Sequence, residues 1–322
     1  MNGSELPSRI IQKFREERLS TVSSIISRAS PILVEQRWDV LFQCSLDPKV
    51  EWIVPDLLET MLSVYHVPSY EQLIPKYLGD DDHWGAIVAP RVATTTGEPI
   101  AFIEHWFVTD PCDVANMVLT VSARWPLPCR GIWFPLCPQH RCAPFVKGWN
   151  KAGLQECVYV ADWNRFNLEV TSSKEFSHLT CSTNENLDAW WPDFCRLVTR
   201  DGGTALRKSE MASLRKQMEF CQQDGCIINL YDNQGLAAHV SWLIGSEAEL
   251  LIPQCWNVQY IFVRDNLRGQ GVGRYLYGLA SQNMALNDPS LVSARVQAES
   301  QGSVKALEAV GAERVLEYYA VE

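Results

Sequence analysis

Residues 262–274 read FVRDNLRGQGVGR, and this stretch decides the fold. The apolar alternation over 257–263 predicts a β-strand, the glycines at 269, 271 and 273 predict a tight turn, and 274–287 has the pattern of a helix. A strand that turns through glycines into a helix exposes backbone N–H groups at the helix N-terminus, where the partial positive charge favours a phosphate. Glycine also lacks the Cβ atom that would hold an anion away from the backbone.

Other glycine-rich loops fit this stretch less well. A Walker A loop needs Gly-Lys-Ser/Thr, which is absent, and a dinucleotide fingerprint opens a βαβ unit with an acidic residue about 20 positions later. Here the loop comes late in the chain, after an antiparallel meander. A plain strand–helix turn that uses glycine only for its positive φ stays open as the simplest alternative.

Two domains are expected in a chain of 322 residues, since one domain typically has about 100–200 residues. The polar stretch at 171–187 predicts the junction, which gives domains at 1–172 and 173–322. In the first, helices are predicted at 8–28 and 53–78 and a short one at 144–152, with Gly153 as its C-cap. Its strands are predicted at 84–89, 100–108, 117–125, 131–136 and 157–161.

The second domain is predicted to begin with a strand at 176–181, followed by two helices and a hairpin. The helices lie at 187–199 and 207–222, and further elements follow the glycine loop at 292–298, 303–310 and 315–321. Residues 145–153 and 303–311 share a Val-Lys pair and a final glycine, and FVTD at 107–110 resembles FVRD at 262–265. The predicted fold is therefore mixed α/β, a mainly antiparallel sheet with flanking helices that occurs twice, with the first copy degenerate.

The glycine loop resembles that of the GNAT superfamily of acyl-CoA-dependent N-acetyltransferases. The family pattern Arg/Gln-x-x-Gly-x-Gly/Ala is matched by Arg268, Gly271 and Gly273, with Val263 at the usual distance before it. The resemblance covers roughly 175–322 and, more dimly, the first half. It implies that CoA binds to a set of main-chain and side-chain groups: Ile261, Phe262, Val263, Arg268, Gly269, Gln270, Gly271, Val272, Gly273, Arg274 and Ser300.

Three positions depart from the family pattern. Ser300 stands where relatives have an Asn, Leu307 where they have the Tyr acid, and Asn257 where many have a Glu base. Donor binding is therefore implied, while the usual acid and base are not. The remaining candidates for these roles are Glu299, Glu249, His239 and Tyr318, with Glu247 and Tyr319 as further possibilities.

Composition favours a soluble enzyme of the cytoplasm. The net charge is −10, and the part of the chain from residue 175 has 12 basic and 18 acidic residues, which argues against nucleic acid as a partner. The N-terminus has no signal-peptide pattern, and no apolar run is long enough to span a bilayer. Eleven irregularly spaced cysteines predict thiols, and the spacing of Cys129, Cys137, His140 and Cys142 does not fit a zinc site.

The expected function is transfer of an acetyl or other short acyl group from acyl-CoA to a primary amine, with a small-molecule acceptor and no metal. Two alternatives stay open. Tandem GNAT folds also transfer aminoacyl groups from aminoacyl-tRNA, and loss of the usual acid and base is compatible with a non-catalytic acyl-CoA sensor. The acceptor and the oligomeric state are not predicted from the sequence.

Overall fold

A computed structural model describes residues 62–67, 69–80, 83–92, 98–162, 176–201, 208–247, 252–284 and 291–321. The predicted helix at 8–28 and residue Glu249 lie outside these ranges. The chain forms two compact units. Unit 1 contains the described residues up to Glu156 together with those from Leu316 onward, and unit 2 contains most of the remainder, from Cys157 to Val315.

Unit 1 is a sheet with two helices. Its elements are β1 (Lys76–Asp80), β2 (Trp84–Val92), β3 (Pro99–Val108), α1 (Val114–Arg124), β4 (Ile132–Leu136), α2 (Ala143–Gly148) and the first part of β5 (Ala152–Asp162). The strand order is β1-β2-β3-β4-β11; β3 and β4 are parallel, and the pairs β1–β2, β2–β3 and β4–β11 are antiparallel. The core lies between this sheet and the apolar sides of α1 and α2.

Unit 2 has the longer set of elements. These are β6 (Thr180–Thr183), α3 (Leu187–Asp201), α4 (Lys208–Asp224), β7 (Gly225–Asp232), β8 (Gly235–Glu247), β9 (Ile252–Val263), α5 (Val272–Met284), β10 (Leu291–Gln297), α6 (Gln301–Ala309) and β11 (Glu313–Val321). The strand order is β6-β7-β8-β9-β10-β5, and β9 and β10 are parallel. Leu187, Trp190 and Phe194 of α3 and Met218 of α4 form its core with strand residues such as Ile227.

The same order of elements occurs twice, as the expected fold class requires. β3 and β9 each end at a valine, pass through a short 3-10 turn (Pro111–Asp113 or Asp265–Leu267) and lead into a helix, a parallel strand, a second helix and a last strand. The last strand of each copy, β5 or β11, is divided between the two units. Residues of β11 from Leu316 onward belong to unit 1, and residues of β5 from Cys157 onward belong to unit 2.

Three predicted elements of the first half are wrong. Residues 117–125 lie not in a strand but in α1, where Val114, Met117, Val118 and Val121 recur at helical spacing and are fully buried. The β-branched residues of this run favoured a strand, and packing of one helical side overrides that preference.

The other two errors concern where helices end. The short helix α2 ends at Gly148, and Gly153 is not a helix cap because it lies in β5. The predicted helix at 53–78 extends too far, since Lys76–Asp80 forms β1 and pairs with β2. Pro75 precedes β1 and cannot donate the backbone hydrogen bond that a continuing helix needs.

Candidate functional site

The glycine loop of unit 2 joins β9 to α5 through two left-handed residues. After Val263 the chain makes a 3-10 turn over Asp265–Leu267, and Gly269 and Gly271 then have φ angles of +75° and +85°. Only glycine adopts such angles without a steric penalty. The pattern of glycines therefore sets the reversal that points the chain into α5 at Val272.

Backbone donors are concentrated at this turn. The six N–H groups from Gly269 to Arg274 make no hydrogen bond with any residue that the structure describes; the first bond of the helix runs from Tyr275 N–H to the Gly271 carbonyl. Such donors, at the positive end of a 13-residue helix, suit a doubly charged phosphate ligand.

The loop is packed closely against its surroundings. A Cβ atom at Gly273 would contact Ala306 of α6 at 3.7 Å and Val263 at 3.9 Å, so the start of α5 lies directly against α6 and the end of β9. At Gly271 a Cβ atom would contact the Phe176 ring at 3.6 Å, and that ring stacks on Tyr275 at 4.7 Å. These contacts fix the position of the exposed N–H groups before any ligand arrives.

Arg268 ties the loop to the end of β9. Its Nε donates to the Val263 carbonyl at 2.9 Å, and its Nη1 lies 2.6 Å from the Asp265 carboxylate. The side chain is about half exposed. The guanidinium therefore lies at the junction of the strand end and the loop, on the solvent side, where it can also meet an anionic ligand.

A buried ion pair supports the other side of the turn. Arg264 is 9% exposed and pairs with Asp232 of the β7–β8 hairpin, while its Nε donates to Asn266 at 2.9 Å. Burial opposes ionisation of Asp232, but hydrogen bonds from Arg264 and from the Gln234 N–H lower the pKa of the carboxyl below its ordinary value. The pair holds the first residue of the loop to a neighbouring hairpin.

The parallel strands β9 and β10 separate before the loop. Their register runs over three pairs, from Trp256 with Val292 to Val258 with Ala294, whereas β9 continues to Val263. Among the described residues, no register pair joins the two strands beyond that point. The result is a gap between β9 and β10 that opens toward the glycine loop; the strands' paired segment forms its closed end.

The backbone of β9 offers donors to this gap. The Arg264 N–H donates to the Ala237 carbonyl of β8, so the alternation of a strand directs the Phe262 N–H to the same side. The N–H groups of Ile261 and Val263 then face the opposite edge, toward β10. Either of these donors can stabilise the negative charge that develops on a carbonyl oxygen during nucleophilic attack.

Two of the positions that depart from the family pattern lie at the start of α6 and within it. Ser300 follows β10, and its carbonyl accepts from Val304 N–H at the start of α6, while its side chain makes no capping bond. Leu307 is 1% exposed and belongs to the core, which accounts for the absence of a tyrosine hydroxyl there. Gly311, at φ +80°, ends α6.

His239 lies in the core of unit 2. It is fully buried, its Nδ1 is 2.8 Å from Asn229 Oδ1, and the rings of Trp190, Phe194 and Tyr260 surround it. Burial lowers the pKa of His239 to about 3, so the ring is neutral near pH 7. Its Nε2 has no hydrogen-bond partner among the described residues. Its catalytic role stays a prediction, because nothing here shows an acceptor reaching it.

The other candidate acids and bases are scattered. Glu299 is exposed and directly follows β10, so it lies in unit 2 near the strand that borders the gap. Tyr318 is buried in unit 1, where its ring is 5.7 Å from that of Phe102. Glu249 lies outside the described residues, and the side chain of Glu247 does as well. Tyr319 donates its hydroxyl to Glu317 at 3.0 Å within unit 1.

The corresponding loop of unit 1 has the opposite character. Asp110 replaces the glycine turn, and it accepts the Cys112 N–H at 3.0 Å. Hydrogen bonds from Cys112 also lower the pKa of Asp110, which keeps its charge negative. Asp113 adds a second carboxylate at the start of α1. The negative charge of these carboxylates disfavours a phosphate, and the Cys112 N–H is already bonded to Asp110, so it is not available to one.

The gap between parallel strands is also filled in unit 1. β3 and β4 pair only over Ala101 with Ile132 and Phe102 with Trp133. Beyond these pairs, Trp106 of β3 donates its indole N–H to the Pro135 carbonyl of β4 at 2.8 Å. A side chain therefore bridges the two strands at the place where unit 2 has an open gap.

The cysteines of unit 1 considered for a zinc site differ in exposure: Cys142 is buried, Cys129 is half-buried and Cys137 is exposed. Burial raises the pKa of Cys129 and Cys137, and it raises that of Cys142 to about 11. A metal site needs thiolates. Among the described residues, no group of three or more His, Cys, Asp or Glu side chains is arranged to hold a metal ion. Within the same ranges, no helix has the length and apolarity that crossing a membrane requires.

Comparison with solved structures identifies the architecture. The GCN5-related glucosamine N-acetyltransferase region of a fungal multi-domain GH3 β-N-acetylglucosaminidase is 11% identical to this chain and has a TM-score of 0.52, with 89% of this chain and 36% of that one covered. The chain has the GNAT fold. The expected fold class is therefore confirmed, and the repeated order of elements is consistent with two GNAT-like domains.

Two further GNAT structures are similar at lower scores. A GNAT-family acetyltransferase from Colwellia psychrerythraea is 8% identical with a TM-score of 0.49, over 83% of this chain and 94% of that one. A tandem GNAT protein from the clavulanic acid biosynthesis pathway is 12% identical with a TM-score of 0.45, over 83% and 95%. No protein-family model and no curated protein sequence matches the chain.

Sequence reasoning missed the residues that support the glycine loop. Asp232 was part of a predicted hairpin turn, and nothing local indicated that it pairs with Arg264 across 32 positions. Phe176 begins the strand predicted at 176–181, and nothing in the sequence indicates its contact with Tyr275. Both contacts depend on tertiary packing, for which a single sequence carries no direct signal.

Proposed function

We propose that this protein is an acyl-CoA-dependent N-acyltransferase whose donor site lies in unit 2. It transfers an acetyl or other short acyl group to a primary amine of a small molecule, in the cytoplasm. The observation that carries the proposal is the set of six unpaired backbone N–H groups from Gly269 to Arg274, placed at the open end of the gap between β9 and β10. This pairing of an anion site with an open strand edge fits a thioester attached to a pyrophosphate.

Each part of the donor has a corresponding group in unit 2. The pyrophosphate binds to the N–H groups of the glycine loop, with Arg268 beside them. The pantetheine arm lies in the gap, where Ser300 at the end of β10 can hydrogen-bond to it. The thioester oxygen accepts from the Ile261 N–H, and the Val263 N–H, about 6.6 Å further along the same strand edge, is left for the pantetheine arm.

The reaction is direct attack of the amine on the thioester carbon. The amine nitrogen forms the new C–N bond, the C–S bond breaks, and CoA leaves as a thiolate that takes up the proton released from nitrogen. A thiolate is a good leaving group, so the absence of the family's tyrosine at Leu307 is tolerable. Glu299 is the proposed base, acting through water, because it is exposed at the end of β10.

Charge supports a cationic acceptor rather than a nucleic acid. The net charge of −10 attracts protonated amines over a distance of about one Debye length, about 8 Å at physiological salt. Transfer from an aminoacyl-tRNA would require a basic surface, and both halves of the sequence are acidic. Small amines therefore suit this chain better as acceptors.

Calorimetric titration with CoA and acetyl-CoA tests the donor site. The change Gly271→Glu should abolish binding, because it adds a negative charge and a side chain at φ +85° beside the pyrophosphate. Gly148→Glu in α2 is the matched control, since it adds the same charge at an exposed position with no atom within 4 Å. Equal binding by both variants, or no binding by the unmodified protein, would refute the proposed site.

A non-catalytic acyl-CoA sensor is the second candidate. It is favoured by Asn257, which stands where relatives have a glutamate and whose Oδ1 accepts from Ser293 and Cys255. Release of free CoA thiol from acetyl-CoA in the presence of a panel of amines separates the two. Amine-dependent release supports the transferase, and tight binding without release under any amine supports the sensor.

A further inference from the structure

We infer that the hydrogen-bonded pair Gln217–Gln259 closes the inner end of the gap between β9 and β10 and limits the donor to short acyl chains. This inference rests on the proposed function. It adds the residues that select the acyl group within the donor site.

The position of Gln259 along β9 is the first part of the argument. It is the first residue after Val258, the last residue of β9 in register with β10. Ile261, whose N–H faces the gap, lies two residues further on, which is about 6.6 Å along a strand. An acyl chain that leaves a carbonyl held at Ile261 and extends toward the closed end of the gap therefore meets Gln259 within a few bonds.

The direction of the Gln259 side chain is the second part. Its Nε2 lies 3.4 Å from the Asn257 carbonyl oxygen. Because Arg264 N–H bonds to β8, strand alternation directs the Asn257 carbonyl, like the Val263 and Ile261 backbone groups, to the edge that faces β10. The amide of Gln259 is thus folded back along the strand edge that borders the gap, where it occupies space.

A second glutamine holds this conformation. Gln217 of α4 donates from Nε2 to Gln259 Oε1 at 2.5 Å, so the amide is fixed from both ends. A methylene chain that reached this depth would break the pair and leave half-buried amide groups without partners, which is costly. A short acyl group ends before it reaches the Gln217–Gln259 pair, whereas a longer chain extends into the pair.

Below the glutamines lies a deeper polar layer. Asn257 and Ser293 face each other in register, and Ser293 Oγ donates to Asn257 Oδ1 at 2.5 Å. Gly245 leaves room for the Asn257 amide, since a Cβ atom there would lie 2.4 Å from Nδ2. Removing the Gln259 side chain would therefore free the space that its amide occupies beside the paired segment, and the bonded pair of Asn257 and Ser293 would be the next barrier.

Binding measurements with CoA, acetyl-CoA, butyryl-CoA and octanoyl-CoA test this without knowledge of the acceptor. We expect the unmodified protein to bind acetyl-CoA at least as tightly as CoA and to bind octanoyl-CoA roughly 10- to 200-fold more weakly, the range that misfit in an apolar pocket produces. Gln259→Ala should remove most of that discrimination. Gln217→Ala, which only releases the Gln259 amide, should remove part of it.

Gln222→Ala is the matched control. It lies in the same helix and loses a comparable hydrogen bond, from Nε2 to the Glu185 carbonyl at 2.8 Å, and it should leave the chain-length profile unchanged. An unaltered acetyl-to-octanoyl ratio in Gln259→Ala, with CoA still bound, would overturn the inference and leave the proposed function standing. Failure of the unmodified protein to bind CoA at all would overturn the proposed function, and this inference with it.

Discussion

The last strand of the chain should stabilise unit 1, although its sequence follows the second domain. Tyr319 of β11 pairs in register with Phe134 of β4, and the two rings stack at 6.0 Å. The side chain is 4% exposed within the core formed by α1, α2 and the sheet of unit 1. The change Tyr319→Ala removes this ring from a packed core.

The expected cost follows from these contacts. Truncation of a buried aromatic residue to alanine typically costs about 3–5 kcal/mol, including the cavity that remains. Since about 1.4 kcal/mol corresponds to a tenfold change, amide hydrogens protected by this unit should exchange roughly 100- to 4,000-fold faster. Tyr319→Phe keeps the ring and loses only the 3.0 Å hydrogen bond to Glu317, so it should cost less, about 1.5–3 kcal/mol.

Hydrogen exchange followed by mass spectrometry locates the effect. Peptides that contain β4 and α1 should lose protection in Tyr319→Ala, although they lie about 200 positions away in the sequence, and Tyr319→Phe should affect the same peptides more weakly. If protection were lost only in peptides from 225–297, with β4 unchanged, the assignment of the last strand to unit 1 would be wrong.

Three further predictions concern the ion pair, the core histidine and the filled gap. Arg264→Ala should destabilise unit 2 by about 3 kcal/mol, because it leaves Asp232 buried without its cation, and adding Asp232→Ala should recover part of the loss in thermal melting. With a folded pKa of about 3 for His239, the unfolded state binds the extra proton below pH 6.5, so stability should fall by up to about 1.4 kcal/mol per pH unit on acidification. His239→Leu should flatten this dependence in urea titrations at pH 5 and 7. Trp106→Phe should lower stability by about 1 kcal/mol through loss of the bond to the Pro135 carbonyl, and a change in its CoA affinity by calorimetry would contradict a donor site confined to unit 2.

The glycine loop was predictable because its signals are local. Positive φ at Gly269 and Gly271, the strand before them and the helix after them all depend on neighbours in the sequence. The hairpin of β7 and β8 was predictable for the same reason, through its Asp-Asn-Gln-Gly turn. Each of these elements is fixed by backbone preferences within about ten residues.

Other features depend on partners that a single sequence does not name. The run that forms α1 has the β-branched content of a strand, and only its packing against the sheet selects the helix. The residues of the candidate site that support the loop, Asp232 and Phe176, act across long separations. The pairing of β11 with β4 is likewise not predictable from alternation, because both units offer a similar strand with which β11 could pair.

The difference between the two units is consistent with a fold that is present twice and holds the proposed donor site only in unit 2. In both, an arginine donates to the carbonyl of the valine that ends the central strand, Arg141 to Val108 at 2.6 Å and Arg268 to Val263 at 2.9 Å. The scaffold is thus retained in unit 1, while carboxylates of Asp110 and Asp113 stand where unit 2 has the N–H groups of the glycine loop. Trp106 fills the gap that a thioester would enter. These changes affect separate steps of the proposed donor binding, so reversing one of them should not restore binding in unit 1. Unit 1 keeps the Arg141 bond to the end of β3, and it also contains the last strand of the chain. Both features indicate that the part of the sheet in unit 1 is kept for stability.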